Sequence, residues 1–212
     1  MRGIAIVYWC LLAPAFPSSF EICPPATVKL LHTADIHLGF KTHGRRDPET
    51  GLNTRLLDVR SSLDAVGQRA LDADVDAFLF CGDAYHTADP TPTQQKLFVE
   101  ALRPLAEAEI PIVLIVGNHD HPVTFGRASS LDIFDHIAGE VHCYRKPAPS
   151  VQVLQTRSGP LQLIPLPWPI RSQILTKDEY RRLAPDELRQ FIEEQYVTYI
   201  RRRTDEIRDE EA

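Results

Sequence analysis

The sequence has few cysteines, no long hydrophobic run and no excess of basic charge. Its four cysteines show no CxxC spacing, and we infer a reducing, cytoplasmic compartment. The 29 acidic residues outnumber the 23 basic ones and give a formal net charge of −6, which gives no indication of a broad basic surface for nucleic acid. Any attraction for DNA therefore has to be local, and bound divalent cations could supply it. Internal repeats, low-complexity tracts and Gly/Ser linkers are also absent.

Residues 1–27 differ in pattern from the rest of the chain. Arg2, the apolar stretch from Ile4 to Ala13 and the small residues near Ala15 superficially fit a secretory signal, but the stretch is too short to span a membrane. The alternative is a leader or non-domain extension, since the first segment with fold-like organisation begins at Val28. We favour the second interpretation and expect no membrane association.

From Val28 onwards, short apolar strands alternate with amphipathic helices. We predict strands at 28–34, 76–81 and 112–116. The second helix is predicted to start at a capping box, Thr91 to Gln94, with Pro92 at the first helical position. Apolar strands that alternate with helices indicate a mostly parallel sheet covered on both faces. The first helix has a single apolar face, formed by Leu56, Val59, Leu63, Val66 and Ala70.

The pattern is weaker after Gly126. We predict a short helix at 130–136 and a hairpin of strands at 151–156 and 161–166, which we expect to add antiparallel strands to the sheet. A last helix opens at Pro185 and becomes almost wholly charged from Arg201. The predicted organisation is an α/β domain at 28–170, with mixed sheets flanked by helices in a layered sandwich, and a helical segment at 171–212.

A polar cluster directly follows each of the three apolar strands. The carboxyl ends of parallel strands meet at one crevice, so the fold would bring the clusters together. Asp35 and His37 are two residues apart and would point to the same side in an extended backbone. Carboxylate, imidazole and amide oxygen form a mixed ligand set that suits manganese or a similar divalent ion. The clusters are His32 to His37, Gly82-Asp83 and Gly117 to Asp120.

Such a site fits phosphodiester hydrolysis, because two ions about 3.5–4 Å apart can generate hydroxide and stabilise both the attacking and the leaving oxygen. Asp83 is the candidate bridge between them, since Gly82 lets the backbone turn sharply there. A single cluster of this kind is more often a pair of surface residues or part of a turn, and only the three clusters together favour a metal site. His86 follows Asp83 by three residues and could reach the same cleft. The remaining histidines considered are interpreted as loop or surface residues: His43, His121, His136 and His142.

The residues around these clusters resemble the calcineurin-like metallophosphoesterases. HTADIHLG, CGDAYH and GNHD carry the likeness, and GDAYHTADPTPTQQKLF makes it more similar to the SbcD-type DNA-repair nucleases. The resemblance covers about 28–169. It implies a metallophosphoesterase-type layered sandwich and a DNA exonuclease and endonuclease of repair, recombination and replication. It also implies two Mn²⁺ ions as cofactors and, as partners, DNA, an SbcC-type ATPase subunit and a second copy of the chain.

Position by position, the resemblance implies that Asp35 and His37 hold one manganese ion. Asp83 would bridge both ions, and Asn118 would bind the second. His119 would contact the scissile phosphate and assist the leaving oxygen, with Asp120 as a tuning neighbour. A histidine at the position of His86 would position the phosphate.

One departure from the family concerns its later motifs, which are a histidine motif and a Gly-His-x-His motif. No histidine follows His142 in this chain. We therefore expect a fragment with an incomplete site, which would bind manganese poorly and lack turnover in isolation; the alternative is a degenerate relative. Two other functions stay open, a general metallophosphoesterase acting on nucleotides or phosphomonoesters, and a non-catalytic DNA-binding or assembly module.

Overall fold

The computed structural model describes residues 28–40, 42–122, 126–136, 139–169 and 183–210. The leader predicted at 1–27 lies outside the described residues, as does the start of the predicted helical segment, 171–182. Within the described ranges, no helix has both the length and the apolar character that crossing a membrane requires.

A four-stranded parallel sheet forms the centre of the molecule. The three predicted strands are confirmed. The fourth was not predicted, because all four of its residues are only partly buried and His142 interrupts its apolar pattern. All four strands run parallel, so their carboxyl ends lie at one edge of the sheet. In spatial order they are β1 (Leu30–Thr33), β2 (Ala77–Cys81), β3 (Ile112–Ile115) and β4 (Val141–Tyr144).

Two helices cover one face of this sheet, α1 (Thr54–Asp72) and α2 (Pro92–Glu107). The predicted capping box of α2 is confirmed: the Thr91 side chain accepts a hydrogen bond from Gln94 N, and the Gln94 side chain accepts one from Thr91 N at 2.7 Å. The apolar faces of both helices pack with Phe78 and Phe80 of β2 in one buried core. Each helix connects two neighbouring parallel strands, so it runs back along the sheet. Both helices therefore begin at the edge of the sheet where the strands end.

The hairpin covers the opposite face. It consists of β5 (Gln152–Thr156) and β6 (Gly159–Leu163), which pair antiparallel in a sheet of their own. The expectation that these strands extend the central sheet is therefore wrong. Alternate side chains of a strand point to opposite faces, so the second apolar face of β2 and β3 also has to be covered. The residues that pack together there are Ala77, Leu79, Val113, Leu154, Leu161 and Leu163.

The rest of the described chain packs against this sandwich. The segment predicted as a short helix at 130–136 is a 3₁₀ turn over Asp132–His136. The predicted final helix is confirmed as α3 (Pro185–Glu210). Tyr196 Oη donates a hydrogen bond to Pro167 O at 2.7 Å, and Tyr199 Oη donates one to Ala148 O at 3.0 Å. These bonds attach α3 to the segments on either side of the hairpin.

Candidate metal centre

The loops that follow β1 and β2 run side by side beyond the ends of the strands. Asp35 N donates a hydrogen bond to Gly82 O at 3.1 Å, and His37 N donates one to Asp83 O at 3.0 Å. A third bond joins Leu38 N to the next carbonyl of the second loop at 2.9 Å. The backbone itself thus brings the first two polar clusters together.

Three predicted ligands have left-handed backbone conformations. The φ angles are 57° at Asp35, 48° at His37 and 55° at Asp83, so the expectation of an extended backbone at Asp35 and His37 is wrong. Such conformations are uncommon outside glycine, and each costs on the order of 1–3 kcal/mol, so it persists only where its surroundings enforce it. They nevertheless converge: His37 Nε2 lies 3.8 Å from Asp35 Oδ1 and 3.9 Å from Asp83 Oδ2.

Asp35, His37 and Asp83 form a group that fits a divalent ion. Their candidate ligand atoms all lie within 4.8 Å of one another. The Asp35 side chain is 63% exposed and that of Asp83 only 10%, so the group is open to solvent on one side and anchored on the other. Two carboxylate oxygens and one imidazole nitrogen are a donor set that divalent ions such as manganese accept.

The third loop holds Asp83 in place. His119 N donates a hydrogen bond of 2.9 Å to Asp83 Oδ1, which leaves Oδ2 as the oxygen near His37. Gly117 packs directly against this carboxylate, and a Cβ at that position would overlap with Asp83 Oδ1 and N. Asn118 is exposed and lies between Gly117 and His119 in the chain. Its role as a ligand of a second ion stays a prediction.

Asp120 has a role that sequence reasoning missed. Its side chain is buried, and its carboxylate accepts backbone hydrogen bonds from Ala84 N at 3.2 Å, Tyr85 N at 3.0 Å and Gly117 N at 3.0 Å. Burial raises the pKa of the Asp120 carboxyl, although the three hydrogen bonds oppose that shift. Asp120 thus joins the second loop to the third rather than accepting a bond from the His119 ring. No sequence signal separates a carboxylate that binds backbone amides from one that binds a side chain.

Three imidazoles border the carboxylate group. The ring centroids are 4.6 Å apart for His37 and His119, 6.0 Å for His37 and His86, and 5.8 Å for His86 and His119. The structure therefore brings His86 and His119 to the cleft for which they were predicted. His119 Nδ1 lies 2.9 Å from His86 O and can donate a hydrogen bond to it. In the neutral ring this leaves Nε2 with the free lone pair.

The other histidines lie elsewhere. His43 and His136 are exposed, as expected, whereas His142 lies in β4 and His121 is partly buried. Burial first, and then the charge of Arg145, lowers the pKa of His121. Its Nε2 has no hydrogen-bond partner among the described residues. His121 nevertheless lies in a loop, and the His142 side chain is 37% exposed, so the interpretation of these histidines as loop or surface residues is confirmed.

Comparisons with known proteins agree with this geometry. Residues 28–181 match the family model of the calcineurin-like phosphoesterases. The chain is 37% identical to the SbcD component of nuclease SbcCD of Bacillus subtilis (strain 168) over 105 residues, which are 49% of this chain and 25% of that protein. It is 36% identical to the DNA double-strand break repair protein Mre11 of Halobacterium salinarum over 92 residues, 43% of this chain and 22% of that protein. The match thus spans about a quarter of the length of these relatives.

Proposed function

The chain belongs to the calcineurin-like phosphoesterase family, and from that premise we propose that it is a metal-dependent DNA nuclease of double-strand break repair. The observation that carries the proposal is the group formed by Asp35, His37 and Asp83 at the carboxyl edge of a parallel sheet, bordered by two further imidazoles. Relatives named as a nuclease and as DNA double-strand break repair proteins support the choice of DNA as substrate.

The residues that would hold the ions are those predicted from the sequence. Asp35 and His37 would bind the first ion, Asp83 would bridge two, and Asn118 would bind the second, with Mn²⁺ as the expected metal. When bound, the ions would supply a hydroxide near neutral pH and stabilise negative charge on the attacking and leaving oxygens. The mixed oxygen and nitrogen donor set supports manganese over metals that prefer thiolates.

His119 and His86 would act on the phosphate rather than on the ions. The bond from His119 Nδ1 to His86 O fixes the orientation of the ring and leaves Nε2 to contact the substrate. A protonated His119 could then donate a proton to the leaving oxygen, a contribution of about 10²–10⁴-fold when general acid catalysis operates. The His86 ring packs against Phe40 with centroids 5.0 Å apart, which supports a fixed position beside the phosphate.

Charge explains why such a nuclease would need its ions to bind DNA at all. The chain has a net charge of −6, and the carboxylates of Asp35 and Asp83 lie in the site itself. These carboxylates repel a phosphodiester unless bound cations reverse the local charge. We therefore propose that a chelator removes affinity for DNA as well as turnover.

Partners follow from the same premise. One relative is named as a component of nuclease SbcCD, which supports an SbcC-type ATPase as the partner of this protein. A homodimer belongs to the same proposal. These assignments concern the whole proteins, of which the matched segments span about a quarter.

The substitution Asp83→Asn tests the function, because it removes the charge of the bridging carboxylate and keeps its shape. In a protein that also carries the later histidine motifs, we expect Mn²⁺-dependent cleavage of end-labelled duplex DNA. The Asp83→Asn variant of that protein should lose cleavage while it keeps its unfolding transition. Asp58→Asn, an exposed aspartate on α1, is the matched control and should leave cleavage unchanged. Cleavage of a chromogenic phosphomonoester without cleavage of DNA would identify a general metallophosphoesterase instead. Manganese binding without any cleavage would identify a non-catalytic module.

A further inference from the structure

The three imidazoles at the site form a second group of candidate ligands. His37, His86 and His119 each offer a ring nitrogen, and these three atoms lie within 4.8 Å of one another. We propose that they bind a single transition-metal ion of the Zn²⁺ class. This site shares only His37 with the carboxylate group and uses none of its oxygens.

The spacing of the rings fits one tetrahedral ion. Zinc binds imidazole nitrogen at about 2.0–2.1 Å, which separates the centroids of two rings on the same tetrahedral ion by roughly 5 Å. The three observed separations of 4.6, 5.8 and 6.0 Å lie on both sides of that value. Small rotations of the side chains would therefore bring the three nitrogens onto one ion without a change in the backbone.

The hydrogen bonds of the rings also suit metal binding. Histidines that bind metals usually donate their other ring N–H to a carbonyl or carboxylate, and His119 Nδ1 has such an acceptor in His86 O at 2.9 Å. His37 Nδ1 is buried and has no hydrogen-bond partner among the described residues. The Nδ1 atom of His37 is therefore not tied to another protein group in the described part of the chain.

The two ligand groups should prefer different ions. Imidazole suits zinc, copper and nickel, whereas carboxylate oxygen suits manganese and magnesium. Because both groups need His37, an ion on the imidazoles would compete with one on the carboxylates. It would also occupy His86 and His119, so zinc should inhibit phosphodiester cleavage. That last consequence rests on the proposed function, whereas zinc binding itself does not.

Calorimetric titration of the 212-residue chain with Zn²⁺ and, separately, with Mn²⁺ distinguishes the two groups. His86→Ala should lower Zn²⁺ affinity by more than about 100-fold, because loss of a direct ligand exceeds the 10–100-fold effect of outer-shell changes. It should leave Mn²⁺ affinity unchanged. Asp35→Ala should have the opposite pattern. The exposed His43 provides the matched control, since His43→Ala should change neither affinity.

A second variant and a second readout guard against a folding artefact. His119→Ala should also lose Zn²⁺ affinity, and metal-free thermal unfolding of both histidine variants should stay cooperative. Bound Co²⁺ should show the intense visible absorption of a four-coordinate ion in the wild type and lose it in either variant. Unchanged Zn²⁺ affinity in His86→Ala and His119→Ala, or an equal loss in Asp35→Ala, would overturn the proposal. Zn²⁺ binding without Mn²⁺ binding, in a protein that also carries the later histidine motifs, would overturn the proposed function and leave this inference standing.

Discussion

Replacing Gly117 by alanine should disrupt the metal centre although it changes no ligand. The added Cβ would lie 2.8 Å from Asp83 Cγ and closer still to Asp83 Oδ1 and N, nearer than the 3.0 Å limit that real Cβ atoms respect. One of these overlaps is with backbone, so a rotation of the Asp83 side chain cannot relieve it. The second and third loops would have to move apart.

Moving the loops apart would break hydrogen bonds that cross between them. Those at risk are the bond from His119 N to Asp83 Oδ1 at 2.9 Å and the bonds to the Asp120 carboxylate from Ala84 N at 3.2 Å and Tyr85 N at 3.0 Å. Overpacking typically costs about 1–3 kcal/mol, and a hydrogen bond to a charged group contributes about 1.5–3 kcal/mol. Partial relaxation would recover some of this. We therefore expect Gly117→Ala to lower the free energy of unfolding by about 3–5 kcal/mol.

Gly67→Ala is the matched control, because the same substitution should have the opposite effect there. Gly67 lies inside α1, and a Cβ would meet Ala101 O at 3.5 Å, an ordinary van der Waals contact. Alanine in place of glycine inside a helix stabilises by about 0.5–1 kcal/mol. Urea denaturation measures both free energies of unfolding. Calorimetry should show Mn²⁺ affinity reduced by about 10–100-fold in Gly117→Ala and unchanged in Gly67→Ala.

One outcome would refute this reasoning. If the free energy of unfolding of Gly117→Ala lay within about 0.5 kcal/mol of the wild-type value, as it does for ordinary surface substitutions, the two loops could not be in close contact. An unchanged Mn²⁺ affinity in the same variant would show that Asp83 does not depend on the third loop for its position. A loss of stability together with normal Mn²⁺ affinity would likewise separate the packing of Gly117 from the metal centre.

Substitutions at three further positions test other parts of the structure. In a protein that also carries the later histidine motifs, His119→Ala should reduce DNA cleavage by about 10²–10⁴-fold and leave Mn²⁺ affinity near normal. Calorimetry that shows loss of Mn²⁺ binding would contradict the assignment of His119 to the phosphate. Burial raises the pKa of Tyr196 to about 12, above its ordinary value of about 10. Folding therefore favours the neutral phenol, and the stability that this phenol contributes is present below pH 10 and is lost as the pH rises to about 12. Urea midpoints should therefore fall more steeply over that range in the wild type than in Tyr196→Phe. Asp35→Gly should be more stable than Asp35→Ala by about 1 kcal/mol, because only glycine accepts a φ of 57° without strain; equal urea midpoints would exclude strain there.

The sequence was sufficient for features that depend on neighbouring residues. The capping box at Thr91 and Gln94 uses two side chains three positions apart, and the strands before Asp83 and Asn118 are continuous apolar runs. The fold then brings the residues that follow these strands to one place, because parallel strands have their carboxyl ends at one edge of the sheet. This is why residues far apart in the chain could be assigned to one site.

Features that depend on distant contacts could not be predicted in the same way. The hairpin lies across the central sheet rather than at its edge, because the second apolar face of β2 and β3 has to be buried. The alternation of apolar and polar residues within β5 and β6 does not indicate which strands they pair with. Strand β4 takes its place through pairing with β3, although its own residues are only partly buried. The left-handed backbone at His37 is likewise set by bonds to another loop.

The position of the ligands is set mainly by backbone groups that cross between loops. Asp83, from the second loop, accepts a hydrogen bond from His119 N of the third. In return Asp120, from the third loop, accepts bonds from Ala84 N and Tyr85 N of the second. Each loop thus supplies a carboxylate to the backbone of the other, so neither can shift without breaking bonds on both sides. A site held in this way is organised before an ion or a phosphate arrives, which reduces the entropy lost on binding. The strain of three left-handed residues can persist there because the surrounding hydrogen bonds leave those loops no relaxed alternative.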